Sequence, residues 1–148
     1  MRIISGSQRG RKLLGPRDSS VRPALESTRE SIFNILGERV EGGRVLDLFC
    51  GVGAFGLEAL SRGARRALFV DNSAGSLKIL ARNVELLGFE AFVTVEQADA
   101  YRYALPPAGG GDSPDLIFSD PPFPVFKEEA GAGRVFSMVE NLLSSLPA

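Results

Sequence analysis

Hydrophobic residues change their spacing repeatedly along this chain, and each change of period predicts a different element. Ser27-Thr28-Arg29-Glu30 has the spacing of a capping box and precedes Ile32, Phe33 and Leu36, so a short helix is expected to run up to Gly37. Arg44-Val45-Leu46-Asp47-Leu48-Phe49 is too short and too continuously apolar for an amphipathic helix, and glycines bound it on both sides. It predicts a buried strand. A helix is expected from about Gly53 to Ser61, closed by Gly63. Ala67-Leu68-Phe69-Val70-Asp71 repeats the strand pattern, and from Ser73 the positions Leu77, Leu80, Val84 and Leu87 share one helical face until Gly88. Residues 92–95 and 115–118 predict a third and a fourth strand. A last helix is expected from about Arg134 to Leu146, with Val135, Met138, Val139, Leu142 and Leu146 on one side. The proline- and glycine-rich residues 105–114 fit neither period and predict a flexible surface connection. Strands alternating with helices through short connections give an α/β class, a parallel sheet with helices on its faces.

Composition narrows the chemistry. A chain of 148 residues with 44% hydrophobic and 24% charged content can bury one core and stay soluble. No apolar run reaches the roughly 18 residues that span a bilayer, and the N-terminus lacks the apolar stretch of a secretory signal, so a cytoplasmic chain without a membrane partner is expected. Cys50 is the only cysteine and histidine is absent. Internal disulfides, zinc centres of the usual ligands and histidine acid–base chemistry are thereby excluded, and no metal is expected.

Charge is unevenly placed: the first 30 residues carry net +4 and the remainder net −5. Arg2, Arg9, Arg11, Lys12 and Arg22 sit among Gly, Ser and Pro, as cations tracking nucleic-acid phosphates do, although a solvated tail has the same composition. The expected division is therefore a basic arm over 1–24 and a ligand-binding domain over 25–148.

The strongest local signal is Asp47-Leu48-Phe49-Cys50-Gly51-Val52-Gly53-Ala54-Phe55-Gly56, a strand end that passes through glycines into a helix. Gly51 and Gly53 let backbone amides approach a ligand, and the helix N-terminus adds positive potential. Asp71 ends the next strand twenty residues after Gly51, where a carboxylate can accept hydrogen bonds from ribose hydroxyls. Asp47 separates two cofactor classes. It would repel the pyrophosphate of a dinucleotide but suits the ammonium and sulfonium of S-adenosylmethionine. The plainer alternatives are a turn or helix-capping carboxylate and a tight strand–helix turn. Asp99 and Ala100 follow the third strand, where they could read an adenine edge; Asp99 could equally cap the next short helix.

The fourth strand runs into Ser119-Asp120-Pro121-Pro122-Phe123. Two prolines remove two donors and stiffen the turn. The Asp120 carboxylate and the Pro121 carbonyl can then accept hydrogen bonds from an exocyclic amine, whose lone pair must leave the ring system before it attacks a methyl group. Phe123 offers a face on which an extruded base can stack. A structural proline turn with a core phenylalanine is the plainer reading.

With these residues in hand, the chain resembles the class I S-adenosylmethionine-dependent methyltransferases carrying the DPPF/Y amino-methylating motif, and more narrowly the RsmD family of 16S ribosomal RNA guanine-N2 methyltransferases. The narrower likeness rests on Arg2-Ile3-Ile4 with Gly6, Arg9-Gly10-Arg11-Lys12-Leu13, Arg22-Pro23, Thr28 to Asn34, and Val45 through Ala64. The resemblance implies a Rossmann-like sheet with S-adenosylmethionine against Asp47, Gly51, Gly53, Asp71 and Ala98 to Ala100, and guanine held by Asp120 to Phe123. It further implies 16S ribosomal RNA or a small-subunit assembly particle as partner. Members of that family continue into further strands of a seven-stranded sheet, so a sheet shortened at the C-terminus is expected, with the fourth strand at an edge open to self-association. N6-adenine or glutamine methylation, and a non-catalytic cofactor- or RNA-binding form, are the alternative functions.

Overall fold

The computed structural model describes residues 1–16, 23–105, 111–122 and 127–146. Within them lie α1 (Pro23–Leu36), β1 (Arg44–Leu48), α2 (Ala54–Ser61), β2 (Arg66–Asp71), α3 (Ala74–Leu87), β3 (Val93–Gln97), β4 (Leu116–Ser119) and α4 (Glu129–Ser145), with 3-10 turns at Gly37–Val40, Glu90–Phe92 and Ala100–Arg102. The four strands form one parallel sheet ordered β3-β2-β1-β4.

Alternation along β1 and β2 sends successive side chains to opposite faces. Val45, Ala67 and Phe69 pack with Phe33, Leu57, Leu60 and Leu80 on one side. Leu46, Leu48 and Val70 pack with Ala100, Met138 and Leu142 on the other. Both faces of these strands are covered, which is why their sequences read as continuous apolar runs. β3 lies at one end of the order, and Thr94 to Gln97 are exposed. β4 is the other end strand among the described residues.

Several boundaries move. α1 begins at Pro23, so the capping box at Ser27 to Glu30 lies inside the helix; Ser27 O accepts the Ser31 hydroxyl at 2.9 Å. A proline tolerates the first helical turn because the amide it lacks has no intrahelical acceptor there. β3 and β4 each start one residue later than predicted. Phe92 belongs to a preceding turn, and Asp115 holds the start of β1, its carboxylate accepting from Arg44 N at 2.7 Å. Ser73 and Gly88 flank α3 as expected, the Ser73 hydroxyl accepting from Ser76 N. α4 starts five residues earlier than expected, and Val139, expected on the packed side, is 38% exposed, with Phe136 and Leu143 more exposed still. Of the expected connection, residues 106–110 lie outside the described residues.

The N-terminal segment departs most from expectation. The predicted boundary after residue 24 falls inside α1, and residues 1–16 dock on the sheet domain. Arg2 and Lys12 form an antiparallel bridge, and Ile3 and Leu13 are buried in the same core cluster as Leu57 and Leu60 of α2 and Leu80 and Val84 of α3. The fully buried Glu58 accepts hydrogen bonds from Ile4 N at 2.8 Å, Ser5 N at 3.0 Å and Arg62 Nε at 2.8 Å. Gly6 adopts φ +84° so close to the Ser61 carbonyl that a Cβ would overlap it. Net charge was visible in the sequence, whereas the two apolar anchors and a carboxylate more than fifty residues away were not.

Candidate functional site

Parallel strands end together, and their loops meet at the carboxyl edge of the sheet. Leu48 of β1 is level with Val70 of β2 and Ser119 of β4, so Asp71 and Asp120 each stand one residue beyond that line, on either side of the turn that leaves β1. The sheet thus gathers Asp47, Gly51, Gly53, Asp71, Asp120 and Pro121 around one edge. Phe123 and Arg22 lie outside the described residues.

The turn between β1 and α2 is tightly specified. Phe49 has φ +56°, Cys50 N donates to Val70 O at 3.2 Å, and Gly53 N donates to Cys50 O at 2.8 Å. Gly53 caps α2 at φ +90°, and a Cβ there would strike Leu80 and Leu57. Asp71 binds the turn from the next strand: Oδ2 accepts from Gly51 N and Oδ1 from Ser73 N, each at 2.8 Å. The twenty-residue spacing therefore has a structural cause as well, and each oxygen of the partly buried Asp71 retains a second lone pair.

Asp47 is 2% exposed and accepts from Gly56 N at 2.9 Å, so it performs the capping role that the sequence left open. Burial pushes its carboxyl up to about 7, against the Gly56 bond, with the Asp120 and Asp71 charges adding to the rise. A carboxylate desolvated among like charges is poised for a cation. Partial burial also raises the Asp120 carboxyl. Cys50 is buried, and its thiol is pushed far upward by burial and the neighbouring carboxylates, so it is no nucleophile.

Asp99 realises its alternative reading: Oδ1 accepts from Tyr101 N at 3.0 Å and caps the turn at Ala100–Arg102. Ala100 is 3% exposed in the second core cluster, so its side chain is taken up by packing and only its backbone is left for a ligand. Arg2, Arg9, Arg11 and Lys12 are exposed on the docked segment; Arg2 pairs with Glu26, and Arg11 donates to Leu86 O at 2.6 Å.

Sequence reasoning passed over Phe49, whose ring meets Tyr101 edge-on at 4.7 Å beneath the Arg134 guanidinium, 4.2 Å from the Tyr101 ring. It read Arg29 only as a basic residue of the first thirty and passed over Glu58 and Asn83, and the three are buried to 2%, 0% and 0% exposure. Their signal was present: each interrupts an apolar helical face. A separate cavity of about 340 Å³ lies at the opposite strand ends, lined by Arg44, Leu46, Arg66, Leu68, Thr94 and Pro114, and shares no residue with this site.

A parallel sheet in this order, with a glycine turn after β1 and a carboxylate ending β2, is a Rossmann-like arrangement, and its solved neighbours place it in the class I methyltransferase fold. The chain belongs to the family described as Conserved hypothetical protein 95, whose model matches residues 1–142, in agreement with the RsmD resemblance. It is 40% identical over 123 residues to the provisionally named rRNA methyltransferase YlbH of Bacillus subtilis, covering 83% of this chain and 67% of that protein. It is 36% identical over 123 residues to ribosomal RNA small subunit methyltransferase D of Escherichia coli, covering 83% and 60%. Among solved structures, Escherichia coli yhhF, provisionally described as a methyltransferase, superposes with TM-score 0.72 at 30% identity over 95% of this chain and 72% of that one. The Thermus thermophilus protein TTHA0928 gives TM-score 0.69 at 27% identity over 93% and 78%. The chain spans 60 to 67% of the length of these curated relatives.

Proposed function

We propose that this chain binds S-adenosylmethionine at the glycine turn and methylates the exocyclic N2 of a guanine in 16S ribosomal RNA, in the cytoplasm. One observation carries the reading: Asp120-Pro121 stands beside the β1 turn, so an amine-accepting group neighbours a cofactor-type turn. The relatives named as small-subunit methyltransferases support the substrate class. The residues suit the cofactor's charge, because the buried Asp47 lacks a counter-ion among the interactions of the described residues.

Asp47 would face the cationic methionine end, and Asp71 the ribose. When bound, S-adenosylmethionine supplies an electrophilic methyl. Asp120 and the Pro121 carbonyl accept from the two N2 hydrogens, which favours a pyramidal nitrogen with its lone pair free. The raised Asp120 carboxyl also makes that group a better acceptor for the proton the nitrogen must lose. Phe123 would stack on the base, and Arg2, Arg9, Arg11, Lys12 and Arg22 would engage RNA phosphates. The substrate form would be naked RNA or a small-subunit assembly particle, and self-association would use the outer edge of β4, which has no neighbouring strand among the described residues.

Tritium transfer from labelled S-adenosylmethionine to small-subunit ribosomal RNA, followed by nucleoside analysis, tests the reading. Label should appear in N2-methylguanosine, and Asp120→Ala should lower turnover by about 100-fold or more with little change in cofactor affinity. Label in N6-methyladenosine, or transfer to a glutamine peptide supplied in a parallel assay, would replace the substrate assignment, and cofactor binding without any transfer would leave a non-catalytic binding module.

A further inference from the structure

Asn83 sits in the middle of α3, fully buried on the apolar face formed by Leu80, Val84 and Leu87. Its amide is engaged on both sides. Oδ1 accepts from Leu14 N at 2.7 Å, while Nδ2 donates to Leu14 O at 3.0 Å and to Val52 O at 3.1 Å. Two carbonyls and one N–H around it fix which way the amide points. One planar group therefore joins the basic N-terminal segment to the glycine turn. Other links run along the same helix: the Arg11 guanidinium binds Leu86 O near its end, and Asp71 holds Ser73 N, the amide of its capping residue.

We propose that Asn83 is a positioning residue through which RNA on the N-terminal segment and cofactor in the glycine turn strengthen each other's binding. The inference rests on the functional reading above, since it takes the two ligands from it. The Leu14 and Val52 bonds share one rigid amide, so a rotation that follows one partner strains the bond to the other. A ligand that holds the Val52 carbonyl in place also restrains Leu14, and the second ligand then has less residual motion to remove. Linkage requires the effect to be equal in both directions.

Calorimetry tests this with S-adenosylhomocysteine and deproteinised small-subunit ribosomal RNA, each titrated with and without saturating amounts of the other. In the wild-type chain both affinities should tighten by the same factor, about fivefold to tenfold. In Asn83→Leu that factor should fall to near one. A lowered Tm with the factor intact would reduce Asn83 to a structural role and overturn the proposal, as would a wild-type factor of one. Should Asn83→Leu fail to fold, hydrogen exchange on the wild-type chain decides: RNA alone should slow exchange severalfold at Gly53 N, which donates to Cys50 O within the turn. Unchanged exchange there overturns the proposal. Failure of S-adenosylhomocysteine to bind by itself overturns the cofactor reading, an outcome distinct from a factor of one.

Discussion

Asp47 and Asp71 stand at neighbouring strand ends and differ in what surrounds them. Asp47 is 2% exposed, and its carboxyl rises from 3.8 to about 7, chiefly by burial. Between those values the folded chain holds a proton that the unfolded chain has released. The stability linked to this group is thus full below about pH 4 and declines as pH rises to about 7. Asp47→Asn keeps an acceptor for Gly56 N without the buried charge. Urea melts should show the variant more stable than the parent at pH 8, by on the order of 1–3 kcal/mol, with the difference shrinking toward pH 5. Asp71 is only partly buried and holds Gly51 N and Ser73 N. Asp71→Ala should cost S-adenosylhomocysteine about 1–3 kcal/mol of binding by calorimetry, and an unchanged affinity would remove Asp71 from the cofactor site.

At the scale of elements, α2 is the anchor for what precedes it. Glu58 on this helix gathers the Ile4 and Ser5 amides and Arg62 Nε, with Arg29 Nε of α1 3.7 Å away. Burial pulls the Arg29 guanidinium down, and the Glu58 charge is the largest influence opposing that fall. Arg29 also donates to Arg2 O, so α1, α2 and the N-terminal segment share one buried network. Glu58→Gln removes the buried counter-charge of Arg29 and leaves one carbonyl oxygen where three hydrogen-bond donors converge. It should destabilise the chain by about 3–5 kcal/mol in denaturant melts and open residues 1–13 to trypsin at Arg9, Arg11 and Lys12. If the melt shifts but cleavage there does not, the segment is held by Ile3 and Leu13 rather than by the network.

At the scale of the whole molecule, fold and charge divide the labour. The sheet brings the carboxylates to one edge, and docking of residues 1–16 turns a cationic stretch of sequence into a fixed surface. Arg9 and Lys12 are exposed on that surface, so neutralising both as Arg9→Gln with Lys12→Gln should weaken RNA binding and reduce its logarithmic salt slope by roughly 1.5. An unchanged slope would place the RNA elsewhere. Local sequence determined the α/β class, the glycine turn and the strand-end carboxylates, because period, glycine chemistry and strand termini depend on residues close together in the chain. Ser73 and Gly88 around α3 were legible for the same reason. The start of α1 was misread because a proline at the first turn and a capping box four residues later both signal a helix beginning, and position alone does not rank them. Tertiary structure alone decided that Asp71 clasps Gly51, that Glu58 holds Ile4 and Ser5, and that Asn83 joins Leu14 to Val52. A buried polar side chain marks a need for partners, but which distant amide or carbonyl meets that need is set only when the sheet order and the docked segment bring them within hydrogen-bonding distance.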